Sequence, residues 1–205
     1  MGLTLYGTKG TRAFRVFWML EELEAEYKIN PINVTKGEGR SKEFLAINPM
    51  GKVPALADDN HVIFESAAIV TYLGDKYPHK KLLPPLGTYE RGLYYQWAFF
   101  VMSELEQPLW LNAKHTFIYP EARRIPQVKE QCQFEFKRVI KIINQHLSNN
   151  AYMLGESFSA ADILVAQTLR WAQMIKFQLD SERLDVYVEE MMARPGYRRA
   201  IAGAA

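Results

Sequence analysis

The sequence is short of several things at once. It has a single cysteine, Cys132, so no internal disulfide can form. No apolar run approaches the ~18 residues of a membrane span. Neither sign of charge dominates: 25 Lys and Arg against 23 Asp and Glu leave a net +2, too little to carpet nucleic acid or an anionic membrane. The four histidines, His61, His79, His115 and His146, lack H-x-x-x-H spacing and a cysteine partner pattern, so no metal site is expected. The N-terminus has no basic stretch leading into an apolar one with a small-residue cleavage site. With the lone cysteine, this points to the cytoplasm. Finally, the opening stretch LYGTKGTRAFR looks like a phosphate loop, yet Gly7 and Gly10 fit neither G-x-G-x-x-G nor G-x-x-x-x-G-K-[ST].

What is present is enough apolar material for one large or two small domains: 205 residues, 48% hydrophobic. Leu3 to Tyr6 alternates as a strand, and Ala13, Val16/Phe17, Leu20 and Leu23 recur at helical spacing. Tyr27-Lys28-Ile29 through Asn33-Val34 reads as a second strand, giving a right-handed parallel βαβ unit. A short helix ends the polar stretch KGEGRSKEFLAI. Val53 to Ala57 and Val62 to Phe64 flank Asp58-Asp59-Asn60 as a hairpin, and Ser66 is placed to cap the helix AAIVTYLGDKY. The order β-α-β-α-β-β-α is a thioredoxin-like layout. After HKKLLPPLGT the strand signal disappears and the pattern is helical to the end. The fold expected is therefore α/β plus all-α: a thioredoxin-like domain over 1–79, a linker over 80–87, and an all-helical bundle over 88–205.

Three stretches carry a resemblance: NPMGKVPAL (Asn48 to Leu56), FESAAIVTYL (Phe64 to Leu73) and GESFSAADI (Gly155 to Ile163). In that order, behind a βα unit, the chain resembles the cytosolic glutathione S-transferases over nearly its whole length. The resemblance implies a cis bend at Pro54, with Val53 pairing through its main chain to the cysteinyl part of glutathione and Lys52 reaching a neighbouring carboxylate. Glu65 and Ser66 would hold the γ-glutamyl head. A hydroxyl and N–H at a helix N-terminus suit a carboxylate, and an adjacent acid suits an ammonium. Arg40 aligns with a basic position that in some classes contacts the glycyl carboxylate. Ser159 and Asp162 form an S-x-x-D capping box and are structural.

A glutathione ligand gives the opening turn a purpose. A thiol with a pKa of about 8.5 is mostly protonated near neutrality, and making the thiolate dominant takes about 2.7 kcal/mol of preferential stabilisation. A hydroxyl donating to the anion supplies roughly 1.5–3 kcal/mol, and a helix N-terminus ~0.3–1 more. Serine-type members of the family place that hydroxyl four residues before an arginine, which lands on Thr11 when counted from Arg15. Thr8 and Tyr6 are the alternatives. No cysteine lies in the turn, which disfavours the branches that make a mixed disulfide with glutathione. The resemblance implies a homodimeric transferase that joins glutathione, its co-substrate, to small hydrophobic electrophiles in detoxification. The alternatives are a glutathione-dependent peroxidase or disulfide reductase, and a non-catalytic assembly module of the same fold.

Overall fold

Alternation sets the first strand, β1 (Leu3–Tyr6): Leu3 and Leu5 are buried while Thr4 and Tyr6 are half-buried on the other face. The structure is a computed structural model and describes residues Gly2 to Gly203. Met1, Ala204 and Ala205, at the outer edges of the two expected domains, lie outside the described residues. Helix α1 (Ala13–Leu23) follows, and β2 (Tyr27–Asn30) returns parallel to β1 with Leu5 opposite Ile29. After α2 (Lys42–Ile47), β3 (Ala55–Asp58) lies antiparallel to β1 with Leu56 opposite Leu5, and β4 (His61–Phe64) completes a hairpin. Its two-residue turn needs a left-handed residue, which Asp59 supplies with φ 52°. The sheet order is β2-β1-β3-β4, and α3 (Ser66–Lys76) closes the thioredoxin-like layout.

Three local expectations are corrected. Strand β2 stops at Asn30 and does not reach Val34. Pro31 has no N–H to give a ladder, and Asn33 turns the chain by accepting from the Thr35 and Lys36 N–H groups at 3.1 and 3.2 Å. Ser66 is not the cap of α3 but its first residue. Glu65 takes the cap position with φ 74°, and the Ser66 hydroxyl is drawn inward instead. Helix α1 is not simply amphipathic: every residue from Ala13 to Leu20 is buried, so it is covered on all sides.

The helical part starts with α4 (Tyr89–Phe100), capped by Thr88, whose hydroxyl accepts from the Arg91 N–H at 3.2 Å. A widened π segment, Val101–Leu105, leads into α5 (Glu106–Ala113), and a second π segment spans Lys114–Ile118. The first precedes Pro108, which can neither donate to the Glu104 carbonyl nor sit against it in a regular helix. Then come α6 (Val128–Leu147), α7 (Ala160–Met174) and α8 (Glu182–Ala193). Asp162, in the first turn of α7, is fully buried. It accepts from the Met153 N–H, the Ser159 N–H, the Ser159 hydroxyl and the Tyr187 hydroxyl, each at 2.8 Å. Burial pushes this carboxyl above the usual aspartate range, and the four donors pull against it.

The chain divides into two units, Met1–Leu83 with Met191–Ala205, and Pro84–Glu190. The division falls inside the expected linker. The last helix, α9 (Pro195–Gly203), expected with the 88–205 bundle, instead packs along α1. Tyr197 explains why: its ring stands edge-on to both Phe14 and Trp18, at centroid distances of 5.1 and 5.0 Å.

Candidate functional site

The opening turn is folded back tightly on the helix it feeds. A side chain at Gly7 would place its Cβ 2.4 Å from the Ala13 Cβ and 3.5 Å from that of Val53, so only glycine fits. This close approach brings the turn beside the Val53–Pro54 bend, where the peptide bond is cis. Thr11 is half-buried, and Arg12, after it, holds the cap position of α1 in a helical conformation. The Thr11 hydroxyl donates to the Thr8 carbonyl at 2.7 Å and accepts from the Ala13 N–H at 3.2 Å. The Thr8 hydroxyl has no partner among the described residues. Tyr6, on the opposite face of the strand from Leu5, directs its ring towards Phe44 of α2 at 6.2 Å.

The stretch before the bend is held by Asn48, which is buried. Its Nδ2 donates to the Lys52 carbonyl at 2.6 Å, and its Oδ1 accepts from the Met50 N–H at 3.1 Å. Gly51 then packs main chain to main chain against Gly39. A Cβ on Gly39 would lie 2.5 Å from the Gly51 oxygen, and one on Gly51 2.4 Å from the Gly39 oxygen. Arg40 and Lys52, the neighbours of those two glycines, are thereby brought together, both exposed to solvent.

Glu65 and Ser66 stand at the start of α3. Glu65 is exposed, and its carboxylate has no partner among the described residues. Ser66 is 2% exposed, and its Oγ accepts from Nη1 of Arg15 at 3.1 Å. A guanidinium can only donate. The Ser66 oxygen is therefore committed as an acceptor on its inner side, and its own proton is left to be given to an acceptor at the helix end. Arg15 is itself fully buried, so a formal charge lies under the N-terminus of α3. The positive ends of two helices, a buried cation and exposed Arg40 and Lys52 make the region suited to a small anion bearing more than one acidic group.

The structure thus links Thr8, Thr11 and Val53 through Gly7, and Arg40 to Lys52 through the two glycines. Arg15, Asn48, Gly39 and Gly51 were not foreseen as parts of the site. Arg15 carried a signal: Arg15, Met19 and Leu23 lie one above the next on α1, and a charge in an apolar row must find a partner. The glycine pair carried none, because the two are 12 positions apart and meet only in the fold.

Comparison with known proteins places the chain. The glutathione S-transferase N-terminal domain matches residues 1–75, and the C-terminal domain of the same family matches residues 101–195. The chain is 32% identical to the disulfide-bond oxidoreductase YfcG of Escherichia coli (strain K12), across 78% of this chain and 76% of that protein. It is 33% identical to a zeta-class glutathione S-transferase of Euphorbia esula, across 82% and 74%. Among solved structures, it superimposes on a glutathione transferase from Methylococcus capsulatus with a TM-score of 0.88 and 26% identity, covering 98% of each chain. A second, from Phanerochaete chrysosporium and solved with oxidized glutathione, gives 0.85 and 26%, covering 98% of this chain and 96% of that one. With both domain signatures in sequence order and more than half of its length matched, the chain belongs to the glutathione S-transferase family.

Proposed function

We propose that this protein binds glutathione at the cis bend and the start of α3, and transfers its thiolate to small hydrophobic electrophiles. The observation that carries the reading is the pair at the head of α3: Ser66, whose oxygen accepts from Arg15 and whose proton is left to give, beside the carboxylate of Glu65, which has no partner among the described residues. Together they complement the carboxylate and ammonium of an α-amino acid, the γ-glutamyl head. Val53 offers main-chain pairing for the cysteinyl unit, and Lys52 and Arg40 face the glycyl carboxylate. The thiolate attacks the electrophile carbon, the S–C bond forms, and the leaving group departs with its electron pair. By analogy with the family, the assembly is a cytoplasmic homodimer.

Thr11 is the first choice for the hydroxyl that steadies the thiolate. Its proton rests on the Thr8 carbonyl, so donating to sulfur exchanges one hydrogen bond for a stronger one. The net gain is the difference between a charge-assisted bond of about 1.5–3 kcal/mol and a neutral one of about 0.5–1.5. With ~0.3–1 kcal/mol from the end of α1, the thiol pKa falls by roughly one to two units. Ultraviolet titration of the bound thiol tests this. Thr11→Val should raise its pKa by about one unit while calorimetry shows glutathione still bound. If Thr11→Val leaves the titration unmoved and Thr8→Val shifts it, the free Thr8 hydroxyl holds the role. Failure to bind at millimolar glutathione would favour the assembly module. A second reading, a glutathione-dependent disulfide reductase or peroxidase, is favoured by the likeness to the Escherichia coli oxidoreductase. Rates with a chloronitroarene, a hydroperoxide and a small disulfide separate the two.

A further inference from the structure

We infer that α9 is a brace that holds the opening turn in place, with Lys9 as its tether. The inference rests on the proposed role of that turn in steadying a thiolate. Helices α1 and α9 run antiparallel, as their contacts show in order. Arg194, just before α9, grips Glu22 near the end of α1 through Nε at 2.8 Å and Nη2 at 3.0 Å. Tyr197 stands against Trp18 and Phe14. Ile201, near the end of α9, accepts a hydrogen bond on its main-chain carbonyl from the Lys9 ammonium, which belongs to the turn before α1.

The joint is fixed at its far end as well. Glu22 also accepts from the Trp18 indole N–H at 2.9 Å, and Arg199 donates to the Glu21 carbonyl at 2.6 Å and to its carboxylate at 3.1 Å. Gly196 packs against Glu22 so closely that a Cβ there would lie 2.6 Å from the carboxyl carbon. Helix α9 is therefore fastened to α1 along its length, and the bond from its last turn to Lys9 extends that fastening to the turn between Gly7 and Thr11. The charges agree. The C-terminal carbonyls of α9 call for a cation, and Lys9 provides it.

The tether matters because a threonine has little freedom at χ1, so the backbone aims its hydroxyl. Gly7 and Gly10 make this turn pliant on its own. Lys9 is a positioning residue: it acts on the hydroxyl through the backbone and belongs to none of the groups proposed to bind glutathione.

The test is Lys9→Met, with Lys9→Arg as the rescue, in the full chain. Amide hydrogen exchange over Gly7 to Ala13 should speed up roughly fivefold in Lys9→Met and return towards the native rate in Lys9→Arg, the scale expected for one partly exposed charged hydrogen bond. The bound thiol's titration should move upward with it, and kcat should fall while KM for glutathione stays within about twofold. Unchanged exchange in Lys9→Met overturns the brace. Faster exchange with an unmoved titration, when Thr11→Val does move it, overturns the positioning role. If the exchange is faster but neither variant moves the titration, the brace stands and the assignment of the hydroxyl falls.

Discussion

The helices of this chain begin in two different ways. Helices α2, α4, α6, α7 and α8 each carry an acidic residue in the first turn, where a negative charge answers the unpaired N–H groups. Helices α1 and α3 carry none, and they are the two whose N-termini face the proposed ligand. Helix α9 also lacks one, but Glu22 of α1 supplies the carboxylate from outside, against Gly196. An N-terminus that serves only the fold is closed by its own chain. On the proposed reading, the positive ends of α1 and α3 are left for an anion that arrives: a thiolate at the first, a carboxylate at the second.

The largest effect expected from breaking this contrast is at the closed end. In Asp162→Ala, four buried donors lose their acceptor, and at 1–3 kcal/mol for an unsatisfied group the loss should exceed about 3 kcal/mol. Urea denaturation should show the drop. Whatever fraction still folds should bind glutathione with native affinity, because Asp162 answers only the start of its own helix, the 153 segment and Tyr187 of α8. A variant that keeps native stability but loses binding would place this carboxylate in the wrong half of the comparison.

Which half a helix belongs to was only partly visible beforehand. The Ser159–Asp162 box spans four residues, so spacing alone reveals it. Glu65-Ser66 was visible as a residue pair at a helix start, but not its geometry. Its position marks Ser66 as a cap, and only Arg15, 51 positions earlier in the chain, explains why its hydroxyl turns inward. The same limit hid α9. The ion-pair partners on α1 lie 172 and 178 residues away, and Arg199, next to Arg198 near the terminus, looks like solvated charge until Glu21 is seen opposite it. Strand β2 is shorter than its sequence pattern suggests for a different reason: the turn chemistry of Asn33 outweighs the apolar pattern around Val34. Local periodicity reports local structure. Contacts between distant segments are decided by packing that a pattern does not contain.

At the open end, Ser66→Ala should separate stability from binding. Leaving the Arg15 Nη1 without this acceptor costs about 1–2 kcal/mol of stability, less than the loss at Asp162. Glutathione affinity, measured by calorimetry, should fall roughly 10- to 100-fold, since the hydroxyl lost is one that donates to a charged group. Affinity within a factor of two of native would mean that the outward proton of Ser66 has no ligand to serve.

The smallest change sharpens the contrast most, because its two readouts should move in opposite directions. Ala68 is exposed in the first turn of α3. Ala68→Glu gives this helix the acid that α4 and α6 to α8 already have. Its own carboxylate then meets the helix end, which should raise folding stability by about 0.3–1 kcal/mol at low salt. The same charge competes with the γ-glutamyl carboxylate, so affinity should weaken roughly two- to fivefold, and both effects should shrink together as salt is added. Stability and affinity rising in parallel would show that the anion does not sit at the start of α3. The vacancy there would then be an accident of sequence, with no bearing on what the site holds.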